Sequence, residues 1–172
     1  MNFRDLYKSD VARSGGLTVW ERKFHYYHRK AATSKSSILK LYYRWKFKKI
    51  REKHGIEISY DTKIGKGFYI GHAYNITINP RATIGDNCNI HKGALIGEEL
   101  RGSRKGSPTI GDCVWIGINA AIIGNVTIGN DVLIAPNSYI NFDVPDHSIV
   151  LGNPGKIIHK DNATEKYINN KV

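Results

Sequence analysis

Long apolar runs are missing from this chain. No stretch approaches the ~18 apolar residues of a membrane-spanning helix. The opening Met1-Asn2-Phe3-Arg4-Asp5 has no apolar segment of the kind a secretory leader carries. Both absences point to a cytoplasmic protein. Cysteine is also scarce: Cys88 and Cys113 are the only two, too few for a disulfide framework. No His/Cys/Asp cluster has metal-ligand spacing, so no metal is expected, and a β-helix enzyme needing three histidine ligands is excluded. A Gly-x-Ser-x-Gly elbow, a P-loop and a dinucleotide fingerprint are all absent. Acidic residues are sparse in one region only. Residues 1–54 hold fifteen Lys/Arg against four Asp/Glu, while 55–172 hold eleven of each. The net charge of +11 therefore belongs to the N-terminal third.

The chain is rich in isoleucine at a fixed interval. Isoleucine falls at 58, 64 and 70, then at 78, 84, 90 and 96, then at 110, 116, 122, 128, 134 and 140. Cys88, Ala94, Val114, Ala120, Val126, Val132, Ser138 and Val144 stand four places after eight of these. Period six fits neither the 3.6 of a helix nor the alternation of a free strand. It fits a short strand and a corner, repeated, with three units to a triangular coil of 18 residues. Cys88 takes a small inward position and reads as a buried reduced thiol.

The period divides the chain into a basic α-helical region at 1–54, a repeat domain at 55–145 and a tail at 146–172. In the first region, 19–32 and 36–53 read as helices, with Ser34, Ser36 and Ser37 as caps between them. In the second helix Ile38, Leu39, Leu41, Tyr42, Trp45 and Ile50 form one apolar stripe. The basic residues read either as a solvated face whose stems cover aromatic surface or as a contact with an anionic lipid surface. No groove-reading motif accompanies them, which excludes nucleic acid. A short helix is expected near 161–168.

Two breaks interrupt the repeat. From Ile70 to Ile78 the step is eight, which inserts two residues near His72. From Ile96 to Ile110 it is fourteen, which sends out a polar loop over 97–109. Adding the insertion to the 18-residue coil stacks Ile70 under Ile90. His72, His91 and Lys92 then share one edge, which is expected to lie near the root of the loop. A histidine there suits general-base work on a hydroxyl. As the bland alternative, His72 and His91 are corner residues held by backbone hydrogen bonds.

The repeats from Ile58 to Ile140, Phe68-Tyr69-Ile70-Gly71-His72 with Ile76-Thr77-Ile78-Asn79-Pro80, Pro108-Thr109-Ile110-Gly111-Asp112-Cys113-Val114-Trp115-Ile116-Gly117, and the ending Asp143 to Lys156 resemble the hexapeptide-repeat acyltransferases. The closest likeness is to the serine acetyltransferase-like branch, which includes enzymes that O-acetylate capsular and exopolysaccharide sugars. The resemblance implies an all-β core in the form of a left-handed parallel β-helix, a homotrimer, and acetyl-CoA bound between subunits. It implies His72 as general base and Glu57 as the carboxylate supporting it, with His91 beside them. Trp115, Gly117, Ala135, Asn141 and Lys156 are implied for the coenzyme, and Lys92, Arg101 and Arg104 stand near the acceptor. Two departures bear on that acceptor. Gly71 stands where serine acetyltransferases carry Asp, and Gly106-Ser107 where they carry Arg-His. A sugar hydroxyl is therefore expected first, free serine second, and a non-catalytic trimeric scaffold is the reading from another class.

Overall fold

The computed structural model describes residues 2–14 and 18–172. Three helices precede the repeats: α1 (Phe3–Arg13), α2 (Val19–Thr33) and α3 (Ser37–Lys53). Each begins where a side chain satisfies orphan backbone amides. Asn2 accepts from Asp5 N (3.1 Å), Thr18 and Glu21 form a capping box, and Ser36 accepts from Leu39 N (3.4 Å). The tail expected to be helical near 161–168 forms consecutive turns instead. Its backbone bonds are mostly short-range, as in Glu165 N to Asn162 O and Tyr167 N to Thr164 O. Asp131 supplies the remaining caps by accepting from Ala163 N and Thr164 N, both at 3.0 Å.

From Glu57 the chain winds as a three-sided parallel β-helix. The first face stacks β1 (Glu57–Ile58), β4 (Thr77–Ile78), β7 (Leu95–Gly97), β10 (Ala121–Ile123) and β13 (Tyr139–Ile140). The second stacks β2 (Lys63–Ile64), β5 (Thr83–Ile84), β8 (Thr109–Ile110) and β11 (Thr127–Ile128). The third stacks β3 (Tyr69–Gly71), β6 (Asn89–His91), β9 (Trp115–Ile116), β12 (Val132–Ile134) and β14 (Ser148–Leu151), closed by the antiparallel β15 (Lys156–His159).

The register follows the arithmetic of the repeat. Ile116 pairs with Ile134 and Ile122 with Ile140, one 18-residue coil apart. Ile70 lies on Ile90, displaced by the two inserted residues, and Ile84 on Ile110, displaced by the eight that make the loop. The isoleucines point inward and are almost fully buried, each stabilising the fold by roughly 2 kcal/mol.

The Ile-Gly-Asp/Asn triplets, and Val144-Pro145-Asp146 in the last coil, act between coils. Asp86, Asp112, Asn130 and Asp146 each accept from the backbone amide of the coil before, at 2.7–2.9 Å (Lys66, Asp86, Asp112 and Asn130 N). A Cβ at Gly111 would lie 2.8 Å from Asn130 Oδ1 and from the Gly129 backbone, so the residue before the ladder must be glycine. Cys88 is buried as expected and donates to Gly111 O (3.1 Å). Burial pushes its thiol up to about 12.

The helical layer is fastened to the β-helix by charge, which the sequence reading did not anticipate. Asp10 and Arg29 are both buried and form a bidentate pair at 2.8 and 2.9 Å. Arg29 also donates to Ile64 O (2.7 Å) and Gly65 O (2.6 Å), and Asp10 accepts from Phe68 N (3.0 Å). Arg13 reaches Asn89 Oδ1 (2.7 Å) and the carbonyl of Asn169 in the tail. Two of the basic residues are thus buried ties, not solvated charges. The residues that α1 buries fully are Asp10 and Arg13, while its apolar Phe3, Leu6, Tyr7 and Val11 are only half-buried.

The same layer predicts an acid-sensitive stability. Burial holds the His28 imidazole at about 3, and the neighbouring Arg29 charge pushes the same way. Between that value and the ordinary ~6.5 the unfolded chain binds a proton that the folded chain refuses. Stability present above pH 6.5 is therefore lost as pH falls, by ~1.4 kcal/mol per unit. Lowering the pH from 7 to 5 is expected to cost about 2 kcal/mol in urea unfolding. His28→Gln retains a donor toward Ser59 O, which His28 Nε2 meets at 3.3 Å, and should flatten that slope. An unchanged slope in the variant would place the titrating group elsewhere.

Candidate active site

The edge between the third and first faces gathers most of the residues singled out from sequence. Gly71 pairs with His91, so the predicted stacking is present. Lys92 donates its backbone N–H to Gly71 O (3.1 Å), which sets Lys92 over His72. Further along the same edge, Gly117 and Ala135 follow Ile116 and Ile134, which are paired in register. Lys156 lies opposite Leu151 at its far end. Trp115 stands two residues before Gly117 on the third face.

His72 is exposed and sits in the left-handed region at φ 51°. The two inserted residues give this corner a second left-handed residue, Asn75 at φ 52°. Later coils turn the same edge with a single one, Gly93, Asn119 or Asn137. The insertion thus pushes His72 out of the regular corner into the open.

His91 is built differently. It is half-buried, and its Nδ1 lies 2.9 Å from Ile116 O. A carbonyl only accepts, so Nδ1 carries the proton and Nε2 is left with a free lone pair. Burial lowers the imidazole below its ordinary value; the Ile116 hydrogen bond opposes this and the neighbouring His72 adds to it. Glycine at 71 makes room for the ring, since a Cβ there would lie 2.7 Å from His91 Nε2. His91 also packs against Trp115 (ring centroids 4.6 Å), which the tail residue Tyr167 covers at 5.2 Å.

Glu57 opens β1 beside this same edge: its N–H donates to Ile76 O (2.8 Å), and it faces outward next to Thr77 of β4. Among the described residues it makes no hydrogen bond or ion pair with His72. The loop does not start near His72. It leaves the end of β7, across the first face from the His72 edge, because β7 runs from Leu95 beside Gly93 to Gly97. There Glu99 and Gly106 exchange backbone bonds of 2.9 Å, and Arg81 holds Glu98 at 2.6 Å. Arg101, Arg104 and Asn141 line one depression of about 610 Å³ on that far side. Asn141 is thereby separated from Gly117 and Ala135.

Sequence reasoning missed a groove of about 950 Å³ across the first face. It runs from Asn75 and Glu57, past Thr77 and Asn79, to Leu100 of the loop, with Arg51 of α3 on its wall. The outward pattern Glu57, Thr77, Leu95 was the available signal, but it needed the fold to show that α3 and the loop wall it in.

Comparison with known proteins agrees with this architecture. The family model for bacterial transferase hexapeptide repeats (six repeats) matches residues 107–141. A serine acetyltransferase of Staphylococcus aureus is 40% identical over 107 residues, covering 62% of this chain and 50% of its own. The chain thus spans about half the length of the curated relatives it matches. Among solved structures, serine acetyltransferase isoform 3 of Entamoeba histolytica in complex with cysteine superposes with a TM-score of 0.71 at 28% identity. That match covers 95% of this chain and 63% of the other. A serine acetyltransferase in complex with CoA gives 0.63 at 25% identity, over 81% and 55%. In its three N-terminal helices, its left-handed parallel β-helix and its repeat sequence, the chain is similar to the hexapeptide-repeat acyltransferases of the serine acetyltransferase-like type.

Proposed function

We propose that this protein is an acetyl-CoA-dependent O-acetyltransferase of the serine acetyltransferase type, assembled as a homotrimer, with His72 as general base. The observation that carries the reading is the register of the third face, which sets His72, His91 and Lys92 on one edge with Gly117 and Ala135 farther along it. Likeness to serine acetyltransferases, one of them solved with CoA, supports acetyl-CoA as the donor. Gly117 and Ala135 leave that edge unobstructed for an extended thiol arm, and Lys156 at its end is a point charge for a phosphate.

In the proposed reaction His72 takes the proton of the acceptor hydroxyl as its oxygen attacks the thioester carbonyl carbon. The tetrahedral adduct then expels the CoA sulfur as thiolate, which the imidazolium protonates. The products are an O-acetyl ester and free CoA. His91, with its tautomer fixed by Ile116, offers Nε2 as an acceptor toward the same edge. Lys92 supplies positive charge beside the developing oxyanion.

Serine is the first-choice acceptor, because the relatives are serine acetyltransferases. This reverses the order expected from sequence, where a sugar hydroxyl came first. One observation keeps the sugar as the second reading: His91 fills the space beside Gly71, leaving no room there for the carboxylate expected to clamp an amino acid. Thiol release from acetyl-CoA, measured with serine and with a panel of sugar acceptors, tests both. Serine turnover at least tenfold above any sugar is expected. The reverse preference restores the sugar reading, and no release with any acceptor favours a scaffold.

A further inference from the structure

The apolar stripe of α3 faces outward from Ile38 to Trp45, while Ile50 beyond it packs against the core. Viewed along the helix, Ile38, Leu41, Tyr42 and Trp45 recur at the i, i+3, i+4, i+7 spacing of one face. They are 83%, 70%, 46% and 48% exposed. The opposite face makes the packing contacts. Phe47 meets Phe24 (5.1 Å) and His28 (5.2 Å), and Arg44 lies 4.0 Å over the Tyr60 ring. The exposed stripe is rimmed by lysines that fold onto its aromatic rings. Lys49 Nζ lies 4.2 Å and Lys46 Nζ 5.0 Å from the Trp45 centroid, and Lys46 Nζ 5.6 Å from that of Tyr42. Along the helix Lys40, Arg44, Lys46, Lys48, Lys49, Arg51 and Lys53 face a single acid, Glu52.

We infer that this face of α3 docks the protein on an anionic phospholipid surface. The stripe is apolar and aromatic, with ammonium groups on stems long enough to reach a headgroup layer while Trp45, Leu41 and Ile38 enter the acyl boundary. No helix among the described residues is long and apolar enough to cross a membrane, so α3 would lie on the surface. Charge decides between occupants. A second copy presenting the same stripe sets lysines against lysines, which is unfavourable. An anionic bilayer neutralises them, each lysine near the surface strengthening binding roughly fivefold.

Sedimentation of the full chain with vesicles tests the inference. One vesicle is pure phosphatidylcholine and the other contains about a third phosphatidylglycerol. At least tenfold stronger binding to the anionic vesicle is expected, weakening with salt. The triple change Lys46→Gln, Lys48→Gln, Lys49→Gln should cost roughly 100-fold. Leu41→Ser with Trp45→Ser should cost at least tenfold, with acetyl transfer in solution unchanged. Equal binding to both vesicles, no binding, or binding indifferent to either variant would overturn it. So would a change in particle mass by light scattering when Leu41 and Trp45 are replaced, since a second copy would then be what covers the stripe.

Discussion

An Arg29→Ala protein is expected to lose 3–5 kcal/mol of stability, the cost of leaving one partner of a buried ion pair behind. The Asp10 carboxylate has no exposed surface and keeps only Phe68 N–H and His25 within reach, the latter at 3.3 Å. The carbonyls of Ile64 and Gly65 lose their side-chain donor as well. Burial alone would raise the Asp10 carboxyl. The hydrogen bonds and charges of His25 and Arg29 outweigh it and hold the group at about 2. That depression corresponds to ~2 kcal/mol, present above pH ~4 and lost as pH falls toward 2.

The loss should be local before it is global. Asp10 and Arg29 sit on α1 and α2, and the groups they tie down lie at the corner between β2 and β3, in the first coil of the β-helix. Urea unfolding followed by protease cleavage within 1–54 should therefore move to lower denaturant while the coil stays protected. A change below 0.5 kcal/mol would show the helices held mainly by Phe24 and Phe47. Asp10→Leu combined with Arg29→Met should recover most of the loss, because two apolar groups of similar volume leave no charge unpaired.

How much of this was legible follows from the kind of signal each part sends. Isoleucine at period six carries the coil, and its displacement by two and by eight carries the register, because an inward side chain must repeat wherever the coil does. His72 and His91 could be brought together on that basis alone. The attachment of α1 could not, because it buries Asp10 and Arg13, which in sequence look like surface charge. The stripe of α3 was visible as a stripe, but periodicity does not say whether it faces the core or the solvent. The loop was placed near His72 because both interrupt the repeat. The width of the first face separates them, and only a count of which strand precedes each corner reveals it.

His72→Ala and His72→Asn proteins are expected to fold normally and to lose 10²- to 10⁴-fold in rate, or ~3–5 kcal/mol of transition-state stabilisation. The fold is indifferent because the side chain is exposed. Asn is the sharper variant, since it accepts the left-handed backbone at φ 51° with little strain yet has no basic nitrogen. Equal losses in the two variants then assign the effect to the missing base, not to the backbone. Replacing His91 instead removes a ring packed between Gly71 and Trp115 and tied to Ile116, so it should cost less rate and more stability. In the double replacement the rate losses should not add if the two histidines act on one proton. Steady-state thiol release with each variant checks this. A His72→Asn rate within threefold of the parent would remove His72 from the chemistry, leaving His91 Nε2, preformed on the same edge, as the base.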